Sequence, residues 1–363
     1  MSITPESLVA SFGLPGASSG QILPLAEEDW TALAARVRAE RLEGLWVAAV
    51  ASGSLPVSSR QMAEVRDAGR ARARVDLELE REMLRVVAIF ESEKIPYRVL
   101  KGPALAHGVY PDPMWRGFGD VDLLVGPDMW YRAVSVLEAS GARRLTPEIR
   151  PDFDLHFGKD ATLVSSQWEI DLHRRLVLGP YGFWAPTEEI LSRPASELSI
   201  AGVNVSVLTL EDAFLNACYS AALADDPPRL IAMRDVAQIA FGEALDLDRL
   251  LETARRWSGT EVVARALSLA QRHLGVSLEA TAVGSRFAGV SRSTRHRLLM
   301  ASYRGAGRGY TSQLAGVVAL RGVQPKISYL AALARPQKAY LSARGFTPAG
   351  FLRHAGRRIW SRG

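Results

Sequence analysis

The chain has 363 residues, of which 48% are hydrophobic and 23% charged, a composition typical of a globular protein with two or three domains. Its single cysteine, Cys218, excludes an internal disulfide and predicts a reducing, cytoplasmic environment. We expect no secretory signal at the N-terminus, and no apolar stretch approaches the roughly 20 residues that a membrane span needs.

The net charge of +5 is unevenly distributed along the sequence. Residues 280–363 contain 15 Arg and Lys and no Asp or Glu, whereas residues 1–279 contain 29 basic and 39 acidic residues. The basic C-terminal part suits an anionic partner, which could be a membrane surface, RNA or a phosphorylated substrate. Docking of the basic part onto the acidic remainder of the same chain is the alternative. We therefore predict a cytoplasmic protein that could also be peripheral at the membrane.

Helical patterns fill the first part of the chain. Apolar residues recur at spacings of three and four from about Glu27, and residues 59–94 are expected to form one long helix with a single buried face. The Arg-rich segment 66–76 within this helix is interpreted as a solvated face. We predict a helical N-terminal region over residues 1–95.

The pattern changes at Pro96. Residues 97–102 (YRVLKG) predict a short strand, Pro103 opens one or two helical turns, and residues 120–125 (DVDLLV) predict a second strand. A helix is expected from about Pro127 to Gly141. Residues 152–176 predict two or three strands with turns at 158–160 and 165–166. Residues 96–178 are therefore interpreted as a compact α/β core.

After Thr187 the pattern is helical again, except for a predicted hairpin that turns at Ala201 and Gly202. We predict a helical C-terminal domain with this small hairpin over residues 179–345. Residues 346–363 are predicted to form a basic amphipathic tail, because their arginine and apolar side chains lie near opposite helical faces. A membrane, RNA or the protein's own surface could bind this tail.

The segment around Asp120 and Asp122 places acids where a buried strand is predicted. In a strand these two residues share one face, and the apolar residues between and after them share the other. Two adjacent carboxylates repel each other, and burying them unpaired costs several kcal/mol. A divalent cation removes this cost, and Mg²⁺ (or Mn²⁺) leaves coordination positions open for phosphate oxygens. The pair therefore predicts a metal site that would hold a nucleoside triphosphate.

A third carboxylate is expected from residues 167–175 (QWEIDLHRR). Glu169, Asp171 and His173 share one strand face, so either acid could act as a second metal ligand or as a general base. Lys101 and Gly102 follow the first strand, where a glycine lets the backbone approach phosphates closely.

These segments together resemble the uncharacterised nucleotidyltransferase family of bacteria, a branch of the DNA polymerase β-like nucleotidyltransferase superfamily. The resemblance is carried by LKGPALAHGVYPDPMWRGFGDVDLLV, GPDMWYRAVSVLEASGAR and WEIDLHRRL. It is strong over residues 97–176 and weaker in the helices that follow. It implies an α+β fold, in which a polymerase β-like nucleotidyltransferase domain with a small mixed sheet is flanked by helical N- and C-terminal regions.

The resemblance also implies roles for individual residues. Asp120 and Asp122 match the paired metal-binding acids, and Asp171 matches the third acid better than Glu169 does. Lys101 and Gly102 match the turn after the first strand, although the superfamily usually has Gly-Gly or Gly-Ser there.

Three more residues are assigned more loosely. Arg116 matches an arginine before the acid pair and could clamp a phosphate bidentately. Asp235 could contact substrate, or it could form an ion pair with an arginine. His173 could contact substrate, or it could be structural.

The implied reaction is metal-dependent transfer of a nucleoside monophosphate from a nucleoside triphosphate to an unidentified acceptor hydroxyl or phosphate, with release of pyrophosphate. One alternative is a transferase that uses a nucleotide-activated sugar donor to modify a peptide or natural product. A toxin-like enzyme that modifies RNA is another, and a non-catalytic nucleotide-binding scaffold is the third. Three clustered acids favour an enzyme, because a scaffold has no use for buried carboxylates.

Overall fold

The computed structural model describes residues 4–17, 25–242, 244–290, 293–305 and 308–347. Within these residues, helices surround one mixed sheet, which confirms the predicted α+β class. The predicted basic tail lies outside the described residues except for Phe346 and Thr347. None of the helices in the described part of the chain is long and apolar enough to cross a membrane.

The N-terminal region is helical, as its periodicity predicts. Its helices are α1 (Pro5–Ser11), α2 (Glu27–Glu40), α3 (Glu43–Ala51) and α4 (Ser59–Ser92). Helix α4 begins with a capping box, in which the side chains of Ser58 and Gln61 each accept a hydrogen bond from the other's backbone N–H. Its buried face contributes Leu79 and Phe90 to the core beneath the sheet. The prediction of one long helix is therefore confirmed.

Seven strands form a single sheet in the order β3-β4-β5-β2-β1-β7-β6. They are β1 (Tyr97–Val99), β2 (Val121–Val125), β3 (Arg143–Arg144), β4 (Asp160–Ser165), β5 (Trp168–His173), β6 (Ser196–Ile200) and β7 (Val203–Val207). Central strand β2 runs antiparallel to β1 and parallel to β5, and all five of its residues are buried. Consequently β2 and β5 lie between β1 on one side and β4 on the other.

Five short helices connect the strands. They are α5 (Pro103–Gly108), α6 (Trp130–Ala139), α7 (Phe153–His156), α8 (Pro180–Trp184) and α9 (Thr187–Ser192). Of the two or three strands predicted over residues 152–176, the structure has two, β4 and β5, and the alternating residues around α7 form a helical turn instead of a third strand. A helical turn there lets Phe153 and Phe157 both contact the ring of Tyr329, a distant residue that local periodicity does not reveal.

The predicted hairpin consists of β6 and β7. Strand β7 pairs with β1, so the hairpin extends the sheet instead of belonging to the helices that follow. Those helices are α10 (Leu210–Tyr219), α11 (Leu230–Ala240), α12 (Leu247–Arg256), α13 (Thr260–Leu274), α14 (Ala282–Arg286), α15 (Thr294–Ala301), α16 (Arg308–Ala315), α17 (Val323–Ala334) and α18 (Lys338–Ala343).

The largest hydrophobic core joins the N-terminal helices to the C-terminal ones. Trp46 of α3 is buried in it together with Cys218 of α10 and Trp257, which follows α12. The core therefore crosses the predicted boundaries at residues 95 and 178, and the division into four regions stays a prediction.

Candidate functional site

Asp122 and Asp171 lie at the same register of neighbouring parallel strands. Asp122 of β2 is the partner of Asp171 of β5, and Asp171 is in turn the partner of Thr162 on β4. His173 follows two residues after Asp171 and therefore shares its face. One ligand atom from each of Asp122, Asp171 and His173 lies within 4.8 Å of the others. We call these three residues the metal-binding group.

Asp122 is the most buried carboxylate of this group, and one of its oxygens is unsatisfied. Its Oδ1 lies 2.8 Å from Nε2 of His173 and 3.1 Å from Nζ of Lys101. Among the described residues, its buried Oδ2 has no hydrogen-bond partner. Burial acts to raise the pKa of Asp122, but the Lys101 ammonium and the His173 hydrogen bond outweigh it and hold this pKa well below its ordinary value. An ionised, buried oxygen without a partner is what a bound cation would satisfy.

Asp171 differs from Asp122 in its electrostatic environment. Its Oδ1 accepts a hydrogen bond of 2.7 Å from Oγ1 of Thr162. Burial raises the pKa of Asp171, and His173 only partly offsets this effect. Two neighbouring carboxyl groups with pKa values shifted in opposite directions suit different roles, so Asp171 is the one that can take a proton in addition to binding a metal. Glu169, the alternative third acid, is exposed.

Asp120 immediately precedes β2 and is half-buried. It interacts electrostatically with Arg41 and Lys101 and is not part of the metal-binding group. The Arg41 guanidinium packs against Gly119, the residue before Asp120, because a Cβ added to Gly119 would clash with it. The role of Asp120 as a metal ligand stays a prediction.

Lys101 and Gly102 form the turn between β1 and α5. The Lys101 ammonium faces Asp122, and Gly102 has φ +57° and ψ −121°, a conformation that other residues adopt only under strain. The turn therefore requires glycine at this position, which brings the backbone and the ammonium group to the edge of the metal-binding group.

Arg116 and Asp235 contact each other instead of the metal-binding group. Nε and Nη2 of Arg116 lie 3.2 and 2.8 Å from the two carboxylate oxygens of Asp235, and the Tyr110 hydroxyl donates to Oδ1 at 2.7 Å. This buried pair ties the loop before β2 to α11. Because the bidentate contact occupies the guanidinium face that would clamp a phosphate, nucleotide binding by Arg116 would require the pair to separate. Substrate contact by either residue stays a prediction.

Lys159, Asp160 and Thr162 belong to the site, and the sequence did not single them out. Nζ of Lys159 lies 2.5 Å from Oδ2 of Asp160 and interacts electrostatically with Asp122 and Asp171. Asp160 is the register partner of His173. The available signal was a Gly-Lys-Asp turn that opens a strand, but only the pairing of β4 with β5 brings these side chains to the acids.

Two cavities adjoin the metal-binding group. One, of about 430 Å³, includes Lys101, Lys159 and His173, and we call it the Lys101 cavity. The other, of about 490 Å³, includes Lys159, Asp160 and Thr162, and we call it the Thr162 cavity. Lys159, Leu178 and Gly309 line both cavities, which are therefore neighbours.

Residues from the C-terminal helices line part of both cavities. Gly309 lines both of them, Ser312 lines the Lys101 cavity, and Gln313 lines the Thr162 cavity. Tyr303, which precedes α16, adds a ring to the Lys101 cavity.

Comparison with known protein families identifies one match. A family model described as an uncharacterised nucleotidyltransferase matches residues 26–275, well over half of the chain. The matched part contains the metal-binding group and both lysines of the site. The cavity-lining residues from Tyr303 onwards lie beyond the matched part. A search of curated proteins found no match.

Proposed function

The chain belongs to this uncharacterised nucleotidyltransferase family, and from that premise we propose that it transfers a nucleoside monophosphate from a nucleoside triphosphate to an acceptor hydroxyl or phosphate. The observation that carries the proposal is the buried, unpartnered Oδ2 of Asp122 beside Asp171 and His173. Two carboxylates provide the oxygen ligands that Mg²⁺ or Mn²⁺ prefers, and the imidazole fixes the orientation of Asp122. We extend the proposal to a polymerase β-like fold, which the acids on adjacent strands support.

In the proposed site, Asp122 and Asp171 would hold the metal, and Asp120 would join them. When bound, Mg²⁺ or Mn²⁺ would neutralise charge on the triphosphate and stabilise the charge that develops in the reaction. Lys101 and Lys159 balance the remaining phosphate charge, and Gly102 allows the backbone to approach the phosphates.

The acceptor oxygen forms a bond to the α-phosphorus as the bond between that phosphorus and the bridging oxygen breaks, so pyrophosphate leaves. Asp171 also takes the acceptor proton, because it lies beside the cavity assigned to the acceptor.

The cavities support an assignment of the two substrates. The Lys101 cavity suits the donor, because its described lining includes two lysines and no carboxylate. The Thr162 cavity suits the acceptor, because Thr162 donates a hydrogen bond to Asp171, the proposed base. Both volumes are in the range typical of small-molecule sites.

The proposal is tested by incubating the protein with Mg²⁺, each of the four α-³²P-labelled nucleoside triphosphates, and a cell extract separated into RNA, protein and small-molecule fractions. We expect label in one fraction, and we expect the Asp122→Asn variant to abolish it. The matched control is Glu169→Gln, which changes an exposed acid on β5 and should leave transfer unchanged. Equal labelling by wild type and Asp122→Asn would contradict the proposal. Transfer from a sugar nucleotide labelled in the sugar would instead favour the activated-sugar alternative.

A further inference from the structure

Helix α17 carries apolar side chains on two opposite faces. Its buried face belongs to a small hydrophobic core formed by Ile149, Phe153, Tyr329, Ala332 and Leu333. On the other face, Val323, Ile327 and Leu330 are 73%, 60% and 42% exposed. An apolar face of a helix is normally packed against another element. The described residues cover only one face of α17, so its exposed face is a candidate binding surface.

The surroundings of this exposed face are cationic. Arg321 precedes α17, Lys326 lies within it next to Ile327, and Arg335 follows it. Within the described ranges, no carboxylate forms an ion pair with any of these three side chains. The whole segment 280–363 contains 15 basic residues and no Asp or Glu, so no acid close in sequence can neutralise them.

We propose that the α17 face, defined by Val323, Ile327, Leu330, Arg321 and Lys326, binds an anionic membrane surface. Aliphatic side chains on a helix that lies in the membrane plane enter the boundary between headgroups and acyl chains. Lysine and arginine beside them are attracted to anionic headgroups. The α17 face offers both features on one helix that is anchored to the fold by its opposite side.

Two other occupants fit these observations less well. Residues 348–363 contain four arginines and no acidic side chain, so this segment would bring like charges onto a cationic face. RNA-binding surfaces use aromatic rings on which bases stack, whereas the exposed residues of the α17 face are aliphatic. An anionic lipid surface satisfies both the charge and the aliphatic character.

Flotation of the full-length protein with lipid vesicles tests the proposal. We expect the protein to bind phosphatidylcholine vesicles that contain about one third phosphatidylserine at least about tenfold better than vesicles of phosphatidylcholine alone. Ile327→Glu should reduce binding by about tenfold, because it places a charge at the apolar contact. Lys326→Glu should weaken binding, and added salt should weaken it further.

The matched control is Leu77→Glu, which introduces the same charge at a 64% exposed leucine of α4 and should leave binding unchanged. Unfolding temperatures equal to that of the wild type would show that these variants are folded. Nucleotidyl transfer without vesicles should not change in Ile327→Glu, so the test is independent of the proposed function.

Several results would overturn the proposal. They are equal binding of wild type and Ile327→Glu, equal binding to anionic and neutral vesicles, or no binding at all. Loss of binding in Trp360→Glu but not in Ile327→Glu would assign membrane binding to the C-terminal segment. Binding of RNA but not vesicles, or a change of oligomeric state in Ile327→Glu without vesicle binding by the wild type, would assign the α17 face to another partner.

Discussion

Asp122 and Asp171 stand opposite each other at one register position of two parallel strands. The pKa of Asp122 is lowered by its cationic neighbours, which outweigh its burial, and the pKa of Asp171 is raised by burial. Like charges so close would repel each other, and Lys101, Lys159 and His173 offset part of that repulsion. The unpartnered Oδ2 of Asp122 accounts for the predicted binding of a divalent cation.

Metal binding should stabilise the fold through Asp122. At about 100 times its Kd, Mg²⁺ or Mn²⁺ that binds only the folded state adds about 2.7 kcal/mol to the free energy of unfolding. We expect Asp122→Asn to lose most of this gain and Glu169→Gln to retain it, measured by thermal unfolding with added metal and with a chelator. An equal metal-dependent shift in Asp122→Asn would place the metal elsewhere.

The two lysines of the Lys101 cavity should contribute to nucleotide binding. A hydrogen bond to a charged group contributes about 1.5–3 kcal/mol, so Lys101→Met and Lys159→Met should each raise the Kd for a nucleoside triphosphate about 10- to 100-fold. Lys326→Met, which removes a lysine of α17 that lines neither cavity, is the control and should not change it. Calorimetric titration with a non-hydrolysable triphosphate measures these values. Unchanged affinity in both lysine variants would refute the donor assignment.

Gly102 should be required for its backbone conformation. Gly102→Ala forces a side chain into a strained region of φ and ψ and should lower the free energy of unfolding by about 1–3 kcal/mol. The added Cβ would meet Phe118 at 3.6 Å, an ordinary contact, so the cost is one of backbone strain.

Gly108→Ala in α5 is the control for Gly102→Ala. It lies in a helix without a positive φ, and its added Cβ would also make an ordinary contact, so it should be neutral or slightly stabilising. Urea unfolding compares the two variants, and an equal change in both would contradict the strain argument.

The buried pair of Arg116 and Asp235 should stabilise the fold. Replacing one partner leaves the other charge buried, so Arg116→Met and Asp235→Leu should each cost about 3–5 kcal/mol, and the double variant should cost much less than their sum. Unfolding of all four proteins gives the coupling free energy. Additive costs would contradict a structural pair. If folded Arg116→Met also loses nucleotide affinity while Asp235→Leu does not, the predicted phosphate contact of Arg116 would gain support.

The sequence predicted those site residues whose arrangement depends on one short segment alone. The acids of β2 and β5 could be identified because alternation fixes the face on which each side chain lies. The roles of Lys159 and Asp160 depend on how β4 pairs with β5, and register between strands is not determined by either strand alone. Likewise, Arg116 and Asp235 are 119 residues apart, and no local pattern predicts their contact.

The most direct test is to identify the bond that the protein breaks. Parallel reactions would contain ATP labelled at the α- or the γ-phosphate, Mg²⁺ and the fractionated extract, with wild type beside Asp122→Asn and Glu169→Gln. We predict that α-label moves to the acceptor, that γ-label appears in pyrophosphate, and that only Asp122→Asn loses both. Transfer of γ-label to the acceptor would show a different phosphoryl transfer, and activity that persists in Asp122→Asn would show that this site is not where the chemistry occurs.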